Sequence, residues 1–410
     1  MTVLDALPDL IAEHRVPGAV LGVHANGEHQ ERAAGVLNTR TGVPVTTDSL
    51  FQIGSVSKVW TATLAMRLVH KGKLDLDRPV RTYLPDFRLA EESAAAVITT
   101  RQLLCHTAGF DGDQFDTSEA AQLFAPGELF SYNNAGYCVL GQIIEALHGK
   151  PFIQCLTDHL IQPLNLTHTA TDADQAILYR AAVGHLQPSP KDPPQPTTVW
   201  ALPRSLAAAG SVLTMSARDL LSFARSHFTG EVSQAMRVEQ VRIAPITAHG
   251  NAWALGWEVF HLGEHTMYGH NGNTIGQAAF LRLIPELDLA ITLLTNGGEA
   301  EALHHKLLTH LLRDLAGIDL PAPPTPTPGP IDATRYLGTY GNSLTTTTIT
   351  QDHTGAVRAD GVQLLPHGKD ALITAQPEQG LHRIHHFLGD NGHGQARFLH
   401  NGRAMPRRAT

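Results

Sequence analysis

Apolar residues fall in short blocks near both ends of the chain and at helical spacing between them. Val16 to His24 is an apolar stretch, Asn26-Gly27 is a hairpin-type turn, and Glu31 to Leu37 continues as a second strand. Ser55 to Lys71 is apolar on most faces and rich in good helix formers, with Gly72 where a helix-terminating glycine is expected. So apolar a helix belongs in the middle of a core. From about Asp75 to Pro203 the pattern gives helical pieces broken by loops, with Ala135 to His148 and Phe152 to Leu160 the clearest, then a proline-dense loop from Pro188 to Pro196. Ser216 to Asp219 reads as a capping box opening a helix through Phe228. Strand character returns at Trp253 to Leu262, Gln277 to Leu283 and Leu287 to Leu294, and Ala300 to Leu315 is an amphipathic helix.

Strands on both sides of a long helical insertion predict an α+β fold. One antiparallel sheet, built from distant parts of the chain, is flanked by helices and packed beside an α-rich region. The main unit is expected over residues 1–318, with the insertion at about 75–203. A semi-rigid proline linker follows over 319–331 (LPAPPTPTPGP within it), then a small β domain over 332–410. Its β-like runs are Thr345 to Ile349, Ala371 to Ile373 and Arg397 to His400.

Composition narrows the function classes. In 410 residues, 42% are hydrophobic and 17% charged, which fits a folded globular protein. Net charge is −8 with Lys and Arg dispersed, so neither nucleic acid nor an anionic membrane is the expected partner. Met1 to Arg15 carries Asp5, Asp9 and Glu13 and lacks a basic start and an apolar core, so no secretory leader is read and a cytoplasmic location is expected. Cys105, Cys138 and Cys155 have no metal-type spacing and read as reduced, buried thiols. No metal or cofactor is expected; His304, His305 and His310 share one helix and read as a solvated face.

Three short motifs carry chemistry. In Ser55-Val-Ser-Lys58 the two ends lie on one helical face, so the amine reaches the hydroxyl. A serine at a helix N-terminus has free N–H groups beside it that suit an oxyanion, and a lysine of lowered pKa can serve as its base. Alone, S-x-x-K is weak, since about one copy is expected by chance in such a chain and a helix cap followed by a surface lysine explains it equally well. In Tyr132-Asn133-Asn134 the phenol can carry the serine proton, while Asn134 can orient the lysine and bind a substrate amide; the competing reading is a turn tyrosine before an N-cap. In His270-Asn271-Gly272 a strand ending in glycine lets substrate lie alongside, and the amide of Asn273 can donate to an oxyanion. Tyr340-Gly341-Asn342 and His400-Asn401-Gly402 repeat the last two patterns in the β domain and read as decoys.

Order and context make the case. The succession FQIGSVSK, QLLCHTAGF, PGELFSYNNAGYCVLGQIIE, AAAGSVLTMSARDL, LGWEV, YGHNGNTIGQAAFL closely resembles the serine β-lactamase-related, penicillin-binding-protein family over about Pro17 to Leu315. Class C β-lactamases, DD-carboxypeptidases, D-aminopeptidases, esterases and penicillin-binding-protein-type thioesterases belong to it. The resemblance implies acylation of Ser55, proton transfer shared by Lys58 and Tyr132, Asn134 holding the lysine, His270 and Gly272 flanking the site, and an oxyanion hole from the amides of Ser55 and Asn273. The closing FLHNGRAMPRR resembles the lipocalin-like appendage of some members.

Two departures bear on substrate. The strand triplet starts with His270 where β-lactamases have a lysine, which removes a permanent cation and shifts weight from β-lactams toward peptides and esters. The segment from Asp111 to Ala125 is short, which predicts an open site. The expected activity is hydrolysis of an ester or amide in a small molecule or in a peptide that contains a D-residue. The alternatives are release or cyclisation of a peptide from a carrier-protein-bound acyl donor, β-lactam hydrolysis, and a non-catalytic penicillin sensor.

Overall fold

The structure is a computed structural model that describes residues 3–189, 192–244 and 249–408. Residues 190–191 of the proline-dense loop, like the chain ends, lie outside the described residues.

The apolar blocks assemble as one antiparallel sheet of eight strands. Its order is Glu28–Gly35, Gly18–Ala25, Leu289–Thr295, Ala278–Ile284, His265–Asn273, Glu258–Leu262, Ala252–Trp253 and Val241–Arg242. The first hairpin turns at Asn26 and Gly27, both with positive φ (52° and 80°), as the right-handed twist of a two-residue turn demands. Alternation along the central strands divides the sheet into two faces. Leu281 and Leu283 point into the helical core, whereas Phe280 and Ile284 pack under the terminal helices Leu7–Glu13 and Ala300–Ala316.

The apolar helix is Ser57–His70, with Val59, Trp60, Leu64 and Leu68 buried and Trp60 stacked on Phe223 at 3.9 Å. Ser55 itself lies in a 3₁₀ turn, Gly54–Val56, ahead of the regular helix. Gly72 follows the helix with φ +67°. The insertion supplies the helix Asn134–His148, capped by the Asn133 side chain on Gly136 N (2.6 Å) and ended by Gly149 at φ +66°.

The sequence misjudged several local features. The Trp253 to Leu262 run is two strands, because the chain turns at Gly256 with φ +89°. The helix opened by Ser216 spans only Ala217–Arg225, and only half of a capping box is present. Ser216 accepts from Asp219 N, but the Asp219 carboxylate binds His168 N and Thr169 Oγ1 (both 2.8 Å). The full capping box sits at Thr99 and Gln102. The insertion also contributes the strand Thr169–Ala170 to a three-stranded sheet with Phe51–Gln52 and Thr214–Met215. His304 is buried and stacked on Phe280 at 4.2 Å, not on a solvated face. The three cysteines are free and buried.

No helix or strand is assigned between Ala316 and Ala333. Beyond it, eight antiparallel strands from Gly338–Gly341 to Ala404–Pro406 follow in chain order, and a bridge from Tyr340 to Arg407 brings the last back to the first, a nearly closed, lipocalin-like barrel. Its interior is filled by Tyr340, Phe387, Leu399 and Met405. Phe398 and Ala404 leave the barrel to pack with Phe124 of the main unit. Among the described residues, no helix is long and apolar enough to cross a membrane.

Candidate active site

Close backbone packing sets the turn at Ser55. A Cβ on Gly272 would stand 1.9 Å from Ile53 O and 3.0 Å from Ser55 N, and one on Gly54 would stand 2.7 Å from Asn273 N. Glycine at both positions therefore lets the strand end press on the turn, which brings the amides of Ser55 and Asn273 to one place. Gly210, at φ +127°, closes the other side, where a Cβ would meet Gly54 O at 2.4 Å.

Lys58 is fully buried, one turn after Ser55, and its Nζ donates to Ser55 Oγ (3.0 Å) and to Ala209 O (2.6 Å). Burial, reinforced by the Arg403 guanidinium, lowers its pKa to about 7, while Asp113 opposes the shift. Tyr132 comes from the insertion. Its ring lies 4.8 Å from Lys58 Nζ, and Ser55 is near enough to its hydroxyl to favour the ionised phenol. Burial pushes the phenol well above its ordinary range, and the Ser55 contact only partly offsets this. The three predicted reacting groups therefore meet.

The supporting residues are arranged less simply. Asn134 does not hold the lysine, because Ala209 O takes that role and Asn134 Oδ1 is buried without a partner. Its backbone N–H donates to Asp113 (3.3 Å). His270 is buried beside Tyr132, with ring centroids 6.2 Å apart, and its Nδ1 bonds Asn271 O (2.6 Å). Burial lowers its pKa to about 4 despite the nearby Glu258, so it is neutral at pH 7.

Sequence reasoning missed a cage of rings and charges around Tyr132. His106, at φ +58°, sets its ring 4.4 Å away and accepts from Asn133 N (3.1 Å). His249 stacks on the phenol at 5.6 Å and bonds Glu258, which is buried, at 2.8 Å. Most of the remainder comes from the barrel. Arg403 lies 5.4 Å from the Tyr132 ring and pairs with Asp113 through two bonds, at 2.8 and 3.1 Å. Gly402 O accepts from Tyr132 N (2.9 Å), His400 Nε2 bonds Phe130 O (2.8 Å), and Ala404 N donates to Ser131 Oγ (3.0 Å). As a strand triplet the His400-Asn401-Gly402 pattern is a decoy, but it braces the Phe130 to Tyr132 segment. Tyr340 is a decoy too, its hydroxyl donating to Tyr336 O (2.9 Å) inside the barrel. The barrel also covers the short Asp111 to Ala125 segment, with Ser343 N donating to Asp111 (2.6 Å), while Ser55 stays partly exposed.

Comparison with known proteins bears on the family and the fold. The β-lactamase family profile matches residues 4–314. Penicillin-binding protein 4 of Amycolatopsis lactamdurans is 39% identical over 363 residues, covering 81% of this chain and 94% of that one. The crystal structure of SurE superposes with a TM-score of 0.80 at 30% identity, covering 99% of this chain and 98% of SurE, and SurE is also solved with D-Leu (TM-score 0.77). The D-amino acid amidase from Ochrobactrum anthropi SV3 shares the fold, with a TM-score of 0.66 at 23% identity over 77% of this chain and 98% of the amidase.

Proposed function

We propose, from the premise that this chain belongs to the β-lactamase family, that it is a serine acyl-enzyme hydrolase acting on an ester or amide of a D-residue-containing peptide or small molecule. The observation that carries the reading is the meeting of a hydroxyl, an amine and a phenol: Lys58 Nζ lies 3.0 Å from Ser55 Oγ and 4.8 Å from the centre of the Tyr132 ring.

The two pKa directions divide the proton work. A lysine titrating at about 7 is substantially neutral at physiological pH and can take the Ser55 proton as the hydroxyl attacks a carbonyl. A phenol pushed upward by burial keeps its proton and suits hydrogen-bond donation and relay to the leaving group. Oxygen charge would develop against the amides of Ser55 and Asn273. The unpartnered Asn134 Oδ1 supports a role in accepting a substrate N–H. With His270 neutral, Arg403, 5.4 Å from the Tyr132 ring, is a permanent cation beside the site and suits a carboxylate on the substrate. The D-residue is supported by the end-to-end match to SurE, solved with D-Leu.

The shared barrel architecture favours a second reading, in which the acyl group passes to an amine instead of water, releasing a cyclic peptide from a thioester donor such as a carrier protein. Intact-mass spectrometry with a fluorophosphonate or penicillin, with the adduct mapped by digestion, tests the nucleophile. A single adduct on Ser55 is expected, and labelling at any other residue overturns the reading. A peptidyl thioester bearing a terminal D-residue then separates linear from cyclic product.

A further inference from the structure

The sheet face opposite His270 carries a feature that catalysis does not use. Phe260, Met267, Phe280 and Arg282 alternate onto this face. Over them a cleft of about 370 Å³ opens, closed by the helix Ala300–Ala316, the segment Leu320–Pro324 and the barrel residues His367, Leu381 and Ile384. Its walls are mainly apolar, from the three sheet side chains and from Leu308 and Pro323.

Polar side chains share the lining, Glu301, His249 and Asn271 among them, and two buried ones, Arg282 and His304, each have an unused atom. Arg282 is 4% exposed; Nη1 donates to Leu281 O (2.8 Å) and Nη2 to Asn271 Oδ1 (2.6 Å), but Nε has no partner. Its counter-ion Glu258 stands 3.8 Å away and gives its other oxygen to His249. His304 is 8% exposed, is fixed by stacking on Phe280, and leaves Nε2 without a partner. Burial keeps its imidazole neutral, so that nitrogen can donate one hydrogen bond. Buried polar atoms in folded proteins are nearly always satisfied, by protein, water or ligand. Two unsatisfied ones lining a single apolar cleft ask for a molecule with an apolar body and an accepting head.

We propose that this cleft is a second binding site, which takes a medium-chain acyl compound with its chain against Phe260, Met267 and Phe280 and its head group accepting hydrogen bonds from Arg282 and His304. The site is separate from the Ser55 centre and does not depend on how that centre is read. It lies near it all the same, because Arg282 also holds Asn271, the residue after His270, and His249 lines the cleft while stacking on Tyr132.

The test is calorimetric titration of the full chain with octanoate and with octanamide, which separates an acid head from an amide head. At least one should bind with a dissociation constant of about 1 mM or tighter, as expected for a ligand of this size. Ala322→Trp, which fills the cleft from an exposed segment, should abolish binding while leaving Ser55 labelling by a fluorophosphonate unchanged. His304→Phe keeps the stacked ring, removes the nitrogen and should weaken binding at least about tenfold, a loss typical of one buried hydrogen bond. The proposal is overturned if neither probe binds, if Ala322→Trp binds as well as the parent, if a folded His304→Phe keeps full affinity, or if fluorophosphonate labelling displaces the probe.

Discussion

Ser55 and Lys58 are held by the core of the main unit alone, whereas the segment that carries Tyr132 is held by both the main unit and the barrel. On the first side, the helix Ser57–His70 is buried on nearly every face, and the packed glycines at 54, 210 and 272 leave the turn no freedom. On the second, the backbone of Phe130 to Tyr132 is pinned by His400 and Gly402, and Arg403 lies over the phenol. The placement of Ser55 beside Lys58 is thus a property of local spacing and apolar burial. The position of the phenol depends in part on residues about 270 positions further along the chain. A site built this way couples its chemistry to whether the barrel is docked.

Within the reacting set the two sides act as a unit. Ser55→Ala, Lys58→Ala and Tyr132→Phe are each expected to lower kcat/KM by about 10³-fold or more, and double variants should be scarcely worse, because each loss disables the same proton transfer. Additive losses measured by steady-state kinetics would separate the two sides and break the comparison.

Stability should distinguish the sides where activity does not. Lys58 titrates at about 7 when folded and near 10.5 when unfolded, so folding is penalised by its reluctance to accept a proton. That penalty is greatest at and below pH 7, shrinks as pH rises, and vanishes above about 10.5, where both states are neutral. Lys58→Met should therefore raise the melting temperature at pH 7, on the order of 5 °C, with less gain at pH 9. An unchanged or lower melting temperature at pH 7 would show that the amine is not strained by burial.

Arg403→Ala should lower kcat/KM by about 10- to 100-fold, in keeping with a lost charged hydrogen-bond partner near the reacting groups. It should also move the acid limb of the pH–rate profile to higher pH, because the guanidinium helps depress Lys58. Asp113→Asn should move the same limb to lower pH, since that carboxylate raises Lys58. Shifts of the same sign in both variants would contradict the electrostatic link between barrel and lysine. At the small end, Arg397 and Glu128 form a half-exposed pair across the same interface at 3.2 Å, and Arg397→Ala should change activity less than about twofold.

The stretches read most accurately were those whose patterning is strong and local. The first hairpin was legible in Asn26-Gly27, the Asn134–His148 helix in its periodicity, and a β domain in turn residues between short β-like runs, its lipocalin-like form following from the resemblance of its closing residues. Ser55, Lys58 and Tyr132 were legible because motif order along the chain carried them. Other features were hidden for physical reasons. Asn134 lost the lysine to a backbone carbonyl, Ala209 O, that no side-chain motif marks. His304 looked solvated because helical spacing alone cannot say which neighbours cover a face. Arg403 carried no sequence signal and His400-Asn401-Gly402 was read as a decoy in the β domain, yet the barrel folds back to Asp113 and Phe130.

By itself the sequence determined the spacing of hydroxyl and amine, the apolar helix that buries the amine, and the glycines that permit backbone contact, because these follow from periods and residue types within a few positions. Only the tertiary structure decided which groups set the charge around them. Desolvation of Lys58, the elevation of Tyr132 and the guanidinium of Arg403 all depend on what packs against what, and Coulomb and burial effects act through space without regard to order in the chain.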